Sequence, residues 1–447
     1  MPELLDLATR VAGWATNGEQ VEAYVAKGQD TSVVAYAGDV ESLSSAASEG
    51  VGIRVVVGHR QGFAYAGSLD EAIVKETLEE ARDNASFATE DEFLGLAVPD
   101  GIAPVELDLW RDSLASFPAG RKVELALELE RRVREADPRI RTVQASSWGD
   151  GFVESAIATS TGIAASTRRS ACHLSVAALA GDGDDTQVGG GYSVGRQPDD
   201  LDIEEAAADA VRRATRLLGA KKPKSGHPAI VLDTRVTPSF LAIIASTLNG
   251  ESVLKGRSLF ADRLGEEVGA SLVTLVDDPT NPDAYGAAPY DSEGLACRRN
   301  VLLQAGVLQR FLYNTYAGRR AGVPSTGSAV RGGFKTTPGI GCRALAIDPG
   351  TRSQDEIIRE LGDGLLVTEV QGLHSGVNPV SGDFSVGASG LMFRNGEVAE
   401  PVREVTIAST LQRMLRDVVA IGNDVEWLPG SAAGVTLGLT GMAMSGA

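Results

Sequence analysis

The stretch TEVQGLHSGVNPVSGDFSVGASG, residues 368–390, decides how the C-terminal half of the chain is organised. It contains five glycines and His374, one of only four histidines, and the apolar residues 365–367 precede it. Glycine at this density lets the backbone adopt conformations that other residues avoid, and it allows a ligand or another chain to approach closely. The pattern predicts a strand, an irregular glycine-rich turn, and a second strand that carries Asp383.

Composition excludes several classes of protein. With 447 residues, the chain can form two or three domains and bury a large core. A formal net charge of -19 disfavours direct binding to nucleic acid or anionic lipid. Three widely spaced cysteines argue against a disulfide framework and fit a reducing compartment. Because neither a signal peptide nor a long apolar run is recognisable, we expect a cytoplasmic protein.

The N-terminal half shows one order of elements twice. A helix over residues 3–16 precedes four short strands and a second helix, where Ser68 and Glu71 form a capping-box pattern. After a proline-containing connector, residues 87–120, a helix, several extended runs and a closing helix follow again. The fold class predicted from this order is α+β.

Domain boundaries follow from the same reading. We predict an N-terminal α+β domain over residues 1–220, in which helices flank antiparallel strands, and we suggest an internal repeat with units at 1–90 and 120–220. The polar segment KKPKSG, starting at Lys221, predicts a hinge. A C-terminal β-rich domain over residues 226–447 should contain an antiparallel sheet or barrel and a core helix.

The C-terminal half carries clear local signals. The apolar segment 240–248 predicts the core helix, and Ser353 with Glu356 predicts a capped helix. Further signals predict a short helix within 256–265, a hairpin turn at Gln304–Gly306, a hairpin turn at Asn395–Gly396 and a helix over 410–421.

A search for catalytic groups finds no complete constellation. The sequence lacks HExxH and GxxxxGK[ST], and the histidines His59, His173, His227 and His374 are too far apart for a local metal pair. His374 and Asp383 could form a catalytic group with Cys342 or Ser385 only if the fold assembled them. A surface or core role is the simpler interpretation of each histidine.

Paired carboxylates at Asp291 and Glu293 are a second candidate. On a strand, side chains two positions apart share a face, so both could meet a ligand's amine or cap a neighbouring element. Capping is the role we expect.

The order of motifs in the C-terminal half is more specific than any single one. The motifs YDSEG at Tyr290, AGRRAGVPSTGSA at Ala317, LVTEVQG at Leu366, SGDFSVGASG at Ser381 and IGND at Ile421 occur together. In this order they resemble the TldD/PmbA family, and more closely its PmbA (TldE) branch than its TldD branch. The resemblance extends over nearly the whole chain and is weak in the N-terminal half.

This resemblance implies a cytosolic zinc-dependent peptidase in which a TldD-type and a TldE-type subunit pair. Catalytic subunits of the family carry HExxxH on a core helix and a cysteine in the glycine-rich tail. The corresponding window here is residues 242–247, AIIAST, and the tail from Gly430 lacks cysteine. We therefore expect no metal in this chain, no catalytic residue, and zinc in a TldD-type partner.

The same resemblance implies an extended peptide substrate, because strand addition to a sheet edge gives sequence-tolerant hydrogen bonds. The predicted substrate-binding residues are Gly382, Asp383, Phe384, Ser385, Asp291 and Glu293. Peptide or unfolded protein is the expected substrate, and a homodimer is a second assembly that we consider. Two alternatives stay open: a regulatory protein-binding module, following the family's older label as a modulator of DNA gyrase, and a hydrolase with a non-metal site.

Overall fold

A computed structural model describes residues 2–16 and 18–447 of the chain. None of the helices in this described part has the length and apolar character that a bilayer-spanning segment needs. The fold is α+β, as the sequence predicts.

The N-terminal half is built on one six-stranded antiparallel sheet with helices packed on it. Its elements are α1 (Pro2–Ala12), β1 (Glu19–Tyr36), β2 (Asp39–Val57), β3 (Arg60–Ala66), α2 (Glu71–Phe87), α3 (Asp112–Ala115), α4 (Ala119–Ala136), β4 (Ile140–Thr159), β5 (Ala164–Ala180), β6 (Gln187–Gly195) and α5 (Ile203–Arg216). The strand order is β3-β2-β1-β4-β5-β6, so β1 and β4 meet at the centre.

Helix, three strands, helix therefore occurs twice, on either side of the β1–β4 pair. In each unit the last helix packs on glycine in the last strand. A Cβ on Gly62 in β3 would lie 1.9 Å from the Ala81 carbonyl of α2, and a Cβ on Gly191 in β6 would lie 1.9 Å from the Ala206 carbonyl of α5. That the units are copies of one ancestor stays a prediction.

Two local predictions in this half are wrong. The strands are long and continuous rather than short, because β1 pairs with β4 without interruption through its polar residues Gly28–Asp30. The hydrogen-bonded ladder therefore continues where the apolar pattern stops. The N-cap of α2 is Asp70 rather than Ser68, since the Asp70 carboxylate accepts the N–H groups of Ala72 and Ile73.

The C-terminal half contains β7 (Ala229–Leu232), α6 (Thr237–Thr247), α7 (Gly250–Leu254), β8 (Leu275–Asp277), β9 (Asn300–Gln304), β10 (Val307–Leu308), α8 (Thr315–Ala321), β11 (Ala329–Val330), β12 (Gly339–Ile340), β13 (Leu345–Ile347), α9 (Gln354–Leu361), β14 (Gly364–Gln371), α10 (Leu373–Gly376), β15 (Asp383–Arg394), β16 (Glu397–Thr410), α11 (Leu411–Arg416), β17 (Val418–Ile421), β18 (Leu437–Leu439) and β19 (Ala443–Ser445).

These strands form a seven-stranded mixed sheet, β17-β18-β7-β14-β15-β16-β19, a four-stranded antiparallel sheet, β10-β9-β8-β13, and the pair β11-β12. Helix α6 lies in the main core through Phe240, Leu241 and Ile244. This confirms the predicted core helix, although it begins three residues earlier than the apolar segment. The 221–226 segment is fixed to the sheet by bridges from Lys221 to Val402 and from Gly226 to Met444.

Local signals in this half are mostly confirmed. Ser353 and Glu356 form the capping box of α9, and Asn395–Gly396 forms the turn between β15 and β16 with positive φ angles. Two helix predictions are wrong. Residues 256–265 contain turns but no helix, and residues 410–421 divide into α11 and β17. The second case arises because 418–421 pairs with β18, and this pairing outweighs local helix propensity.

Candidate functional site

The glycine-rich stretch forms an antiparallel strand pair at the centre of the seven-stranded sheet. β14 pairs with β15 from Gly364↔Phe393 to Gln371↔Gly387, and α10 lies in the connection between them. β15 is an interior strand, with β14 on one side and β16 on the other. The predicted strand addition at residues 382–390 therefore has no free edge there.

The predicted substrate-binding residues of β15 alternate between the two faces of the sheet. Asp383 and Ser385 are exposed and Phe384 is buried. The Asp383 carboxylate accepts the Ser381 hydroxyl at 2.7 Å. Gly382 has a φ of +87°, and a Cβ there would lie 2.1 Å from the Gln412 side chain. Contact between these residues and a substrate stays a prediction.

The structure does not assemble a catalytic group around His374. This histidine is exposed on α10, and within residues 2–16 and 18–447 no hydrogen bond or ion pair joins His374, Asp383 and Cys342. Burial raises the pKa of the Cys342 thiol well above its ordinary value, and the nearby Asp277 carboxylate raises it further. Since the thiolate is the nucleophile, Cys342 is a poor catalytic group.

A free strand edge lies instead on β14. β7 runs parallel to β14 only from Gly364 to Val367, and the last contact is the Asp233 N–H donating to the Val367 carbonyl at 3.0 Å. Residues 368–371 extend past the end of β7. They line an open cavity of about 600 Å³, to which residues of the strands β4, β5 and β6 and of the start of α6 also contribute. An extended peptide could add to β14 here.

Glu369 supplies a carboxylate in this cavity, and sequence reasoning missed it. Burial raises its pKa above the ordinary value, while the guanidinium groups of Arg216 and Arg213 oppose that rise. Arg213 and Arg235 also line the cavity and bind Asp209 at 2.8 and 3.0 Å. The alternation of polar and apolar residues in TEVQ indicated a strand that carries Glu369. The arginines near Glu369, however, come from segments that are distant along the chain, so the sequence could not place them beside it.

The helix that carries the 242–247 window contacts the glycine-rich tail, at a residue that precedes the window. The Thr237 hydroxyl of α6 donates to the Val435 carbonyl of the tail at 2.7 Å. The window 242–247, however, presents alanine, isoleucine, serine and threonine, which lack the imidazole, thiolate and carboxylate groups that bind zinc. The Ser246 and Thr247 hydroxyls donate to backbone carbonyls of their own helix. These residues do not fit a zinc ion.

Asp291 and Glu293 are buried between the two halves of the chain. They lie in a turn rather than on a strand, since the Asp291 carboxylate accepts the N–H groups of Glu293, Leu295 and Ala329. Glu293 accepts the Thr315 N–H at 2.8 Å and the Thr315 hydroxyl at 2.6 Å. Burial raises the pKa of Asp291 to about 7, and the Glu293 carboxylate contributes. Both residues cap neighbouring segments, the role that we expected.

Asp277 should make stability depend on pH. Burial raises its pKa to about 6, whereas the unfolded value is about 3.9, so the native state binds the proton more tightly. The contribution of Asp277 to stability is therefore greatest below pH ~4 and is lost as the pH rises through ~6. We expect Asp277→Asn to remove this loss and to gain up to about 3 kcal/mol at neutral pH, with no gain at pH ~4.

Urea unfolding of the variant and the wild type at both pH values measures this difference. Asp348→Asn is the matched control, because the Asp348 side chain is 54% exposed. A gain for Asp277→Asn that is equal at both pH values would contradict the assignment.

The sequence comparisons agree with this architecture. Residues 225–446 match the PmbA/TldA metallopeptidase C-terminal domain, residues 112–218 the central domain and residues 21–85 domain 1. The chain belongs to the PmbA/TldD metallopeptidase family. Metalloprotease PmbA of Escherichia coli O157:H7 is 29% identical over 95% of this chain and 92% of that protein. The PmbA homolog of Haemophilus influenzae is 29% identical over 94% of this chain and 90% of that protein.

Solved structures of the PmbA/TldD family share the fold. A Thermotoga maritima protein, described as a modulator of a DNA gyrase, has a TM-score of 0.90 and 26% identity, covering 99% of this chain and all of that one. TldE from Thermococcus kodakarensis has a TM-score of 0.88 and 22% identity, covering 96% of this chain and 97% of that one. The family assignment from the C-terminal motifs is thereby confirmed.

Proposed function

We propose that this chain is a TldE-type, non-catalytic subunit of a zinc-dependent TldD/TldE metallopeptidase that acts in proteolysis or peptide maturation in the cytoplasm. The observation that carries the proposal is the chemistry of residues 242–247, which offer no zinc ligand. A TldD-type partner would supply the metal. Haemophilus influenzae has both a PmbA homolog and a TldD homolog, each similar to this chain, which supports such a pairing.

In this proposal the subunit contributes a substrate surface. The edge of β14 at residues 368–371 would pair with an extended peptide through main-chain hydrogen bonds, and the adjacent cavity would accept alternate side chains. Main-chain pairing tolerates many sequences, which suits peptide or unfolded protein as the substrate. Glu369 and the arginines that face it would provide the charged part of this surface.

We expect the purified chain alone to bind no stoichiometric zinc and to cleave no peptide. Mixed with a TldD-type protein that carries HExxxH, it should form a heterodimer that cleaves unstructured peptide, with zinc in the partner. Metal analysis, size-exclusion chromatography and a peptide cleavage assay measure these results. One equivalent of zinc together with cleavage by this chain alone would overturn the proposal.

The cleavage assay also tests the β14 edge. Ser239 lines the cavity from the first turns of α6, so Ser239→Trp should occupy part of it and obstruct an added strand. Because main-chain hydrogen bonds give such complexes their affinity, we expect kcat/KM of the heterodimer to fall about tenfold or more. Ser246→Trp is the control, since Ser246 is exposed later on the same helix. Equal activity of both variants, with heterodimer formation intact, would exclude the edge as the substrate site.

A further inference from the structure

A second cavity of about 600 Å³ lies between the N-terminal sheet and loops of the C-terminal half. β1, β4 and β5 form one wall, and residues 287–292 and 331–335 form the other. Apolar side chains such as Leu109, Ile157 and Tyr290 cover part of its surface. This volume is in the range of small-molecule and short-peptide sites.

The charge of this cavity is opposite to that of the protein. Two aspartates, Asp30 and Asp291, line it together with six cationic residues, in a chain whose net charge is -19. The cationic residues are Lys27, Arg168, Arg169, Arg331, Lys335 and Arg343. Because burial raises the pKa of Asp291 to about 7, its negative charge is incomplete at neutral pH. A positive cavity in an acidic protein attracts anions.

Arg169 and Arg343 differ from Arg331, another arginine of the cavity, in their partners. Their guanidinium groups donate to neutral oxygens, Arg169 to the Tyr285 carbonyl at 2.7 Å and Arg343 to the Ser292 hydroxyl at 3.0 Å. In the described part of the chain, no ion pair joins either group to a carboxylate. The Asp277 carboxylate near Arg343 accepts backbone N–H groups instead. The Arg343 Nε is buried without a hydrogen-bond partner.

Arg331, in contrast, is compensated within the protein. It binds Glu22 at 2.8 Å and lies over the Tyr24 ring at 4.5 Å. Its side chain is only 2% exposed, and its Nε and Nη1 have no partner. It therefore fixes the loop that closes the cavity, and three of its N–H bonds, one on Nε and two on Nη1, have no hydrogen-bond partner in the described part of the chain. Among the described residues, Glu22 neutralises the charge of Arg331, whereas no ion pair neutralises that of Arg169 or Arg343. Burial together with the Arg343 guanidinium lowers the pKa of Arg169.

We propose that this cavity binds the carboxylate of a short peptide, held by the guanidinium groups of Arg169 and Arg343. A planar guanidinium matches a carboxylate with two parallel hydrogen bonds, and the apolar wall accommodates an organic body better than a bare inorganic anion. The carboxylate comes either from a peptide C-terminus or from an acidic side chain. The cavity is separate from the β14 edge, so this site does not depend on the proposed subunit role.

Calorimetric titration of the full chain, without a partner, tests the site. The probes are acetyl-trialanine with a free C-terminal carboxylate, the same peptide as its C-terminal amide, an amidated peptide with one aspartate, and inorganic phosphate. We expect the free acid to bind and the amide to bind at least about tenfold more weakly, because hydrogen bonds to a charged group are lost. Equal binding of the free acid and the aspartate peptide would identify a general carboxylate site. Binding of phosphate alone, or of no peptide at about 1 mM, would overturn the proposal.

Variants separate a specific site from general charge. Arg169→Gln and Arg343→Gln should each weaken the free acid about tenfold or more, whereas Arg60→Gln, at an exposed hairpin position, should leave binding unchanged. Arg169→Lys keeps the charge and loses the planar fork, so its affinity should lie between those of the wild type and Arg169→Gln. If Arg169→Gln fails to fold, Arg169→Lys still tests the role of the planar guanidinium at this position. Unchanged affinity in both the Arg169→Lys and Arg343→Gln proteins would contradict the assignment.

Discussion

Glu22→Gln is expected to destabilise the protein by about 3–5 kcal/mol, because it leaves buried Arg331 without its carboxylate and Arg54 with only the more distant Glu293, 3.9 Å away. Glu22 is 1% exposed, and it binds Arg54 of β2 and Arg331 of the C-terminal half. Burial by itself would raise the pKa of Glu22, but the two guanidinium groups hold it below the ordinary value. A glutamine amide cannot replace that negative charge. The change should therefore weaken the packing of β1 against β2 and also the contact between the two halves of the chain.

Urea unfolding at neutral pH, followed by both fluorescence and circular dichroism, measures this effect. If the two halves come apart first, the two signals should no longer change together. Glu49→Gln is the control, since Glu49 pairs with Lys27 at 3.3 Å on the exposed part of β2 and such pairs contribute at most about 1 kcal/mol. Equal unfolding midpoints for the two variants would show that the buried cluster contributes no special stability.

The double variant Glu22→Gln with Arg331→Met provides a further test. Removing one arginine together with the carboxylate leaves less uncompensated charge than removing the carboxylate alone. We therefore expect the loss to be smaller than the sum of the two single losses. Strict additivity would mean that Glu22 and Arg331 do not interact energetically.

The sequence predicted caps and turns correctly where the contacts that stabilise them lie within a few residues along the chain. The capping box at Ser353 and the Asn395–Gly396 turn are of this kind, because each is satisfied by atoms close along the chain. The 410–421 segment is different, since its second half pairs with β18, which starts at Leu437. The residues of 410–421 alone cannot indicate this pairing, because the partner strand lies further along the chain.

The candidate site follows the same rule. The sequence identified the glycine-rich stretch and the absence of zinc-binding residue types in the 242–247 window, which are properties of residue type. It did not identify the free edge of β14, because that edge exists only where the parallel neighbour β7 ends at Leu232. Nor could it show that Arg169 and Arg343, which lie 174 positions apart, line one cavity.

Gly390→Ala should be the most damaging alanine substitution within the glycine-rich stretch. A Cβ at Gly390 would lie 1.9 Å from the Leu366 carbonyl of the neighbouring strand β14, and strand backbone cannot move aside as a flexible side chain can. Such overpacking costs about 1–3 kcal/mol, and the contact with backbone places this site at the upper end of that range. Urea unfolding measures the loss.

Gly387→Ala gives the matched control on the same strand. Its nearest atom across the pair, the Gln371 carbonyl, would lie 3.6 Å from the new Cβ, which is an ordinary contact. We expect a change within about 0.5 kcal/mol for this variant. Gly390→Ala would displace the Leu366 backbone, two residues from the β14 edge, so it should also reduce cleavage by the heterodimer. Gly387→Ala would make only an ordinary contact with Gln371 and should retain cleavage. Equal stability of the two variants would mean that close approach of the strands is not the reason for glycine at position 390.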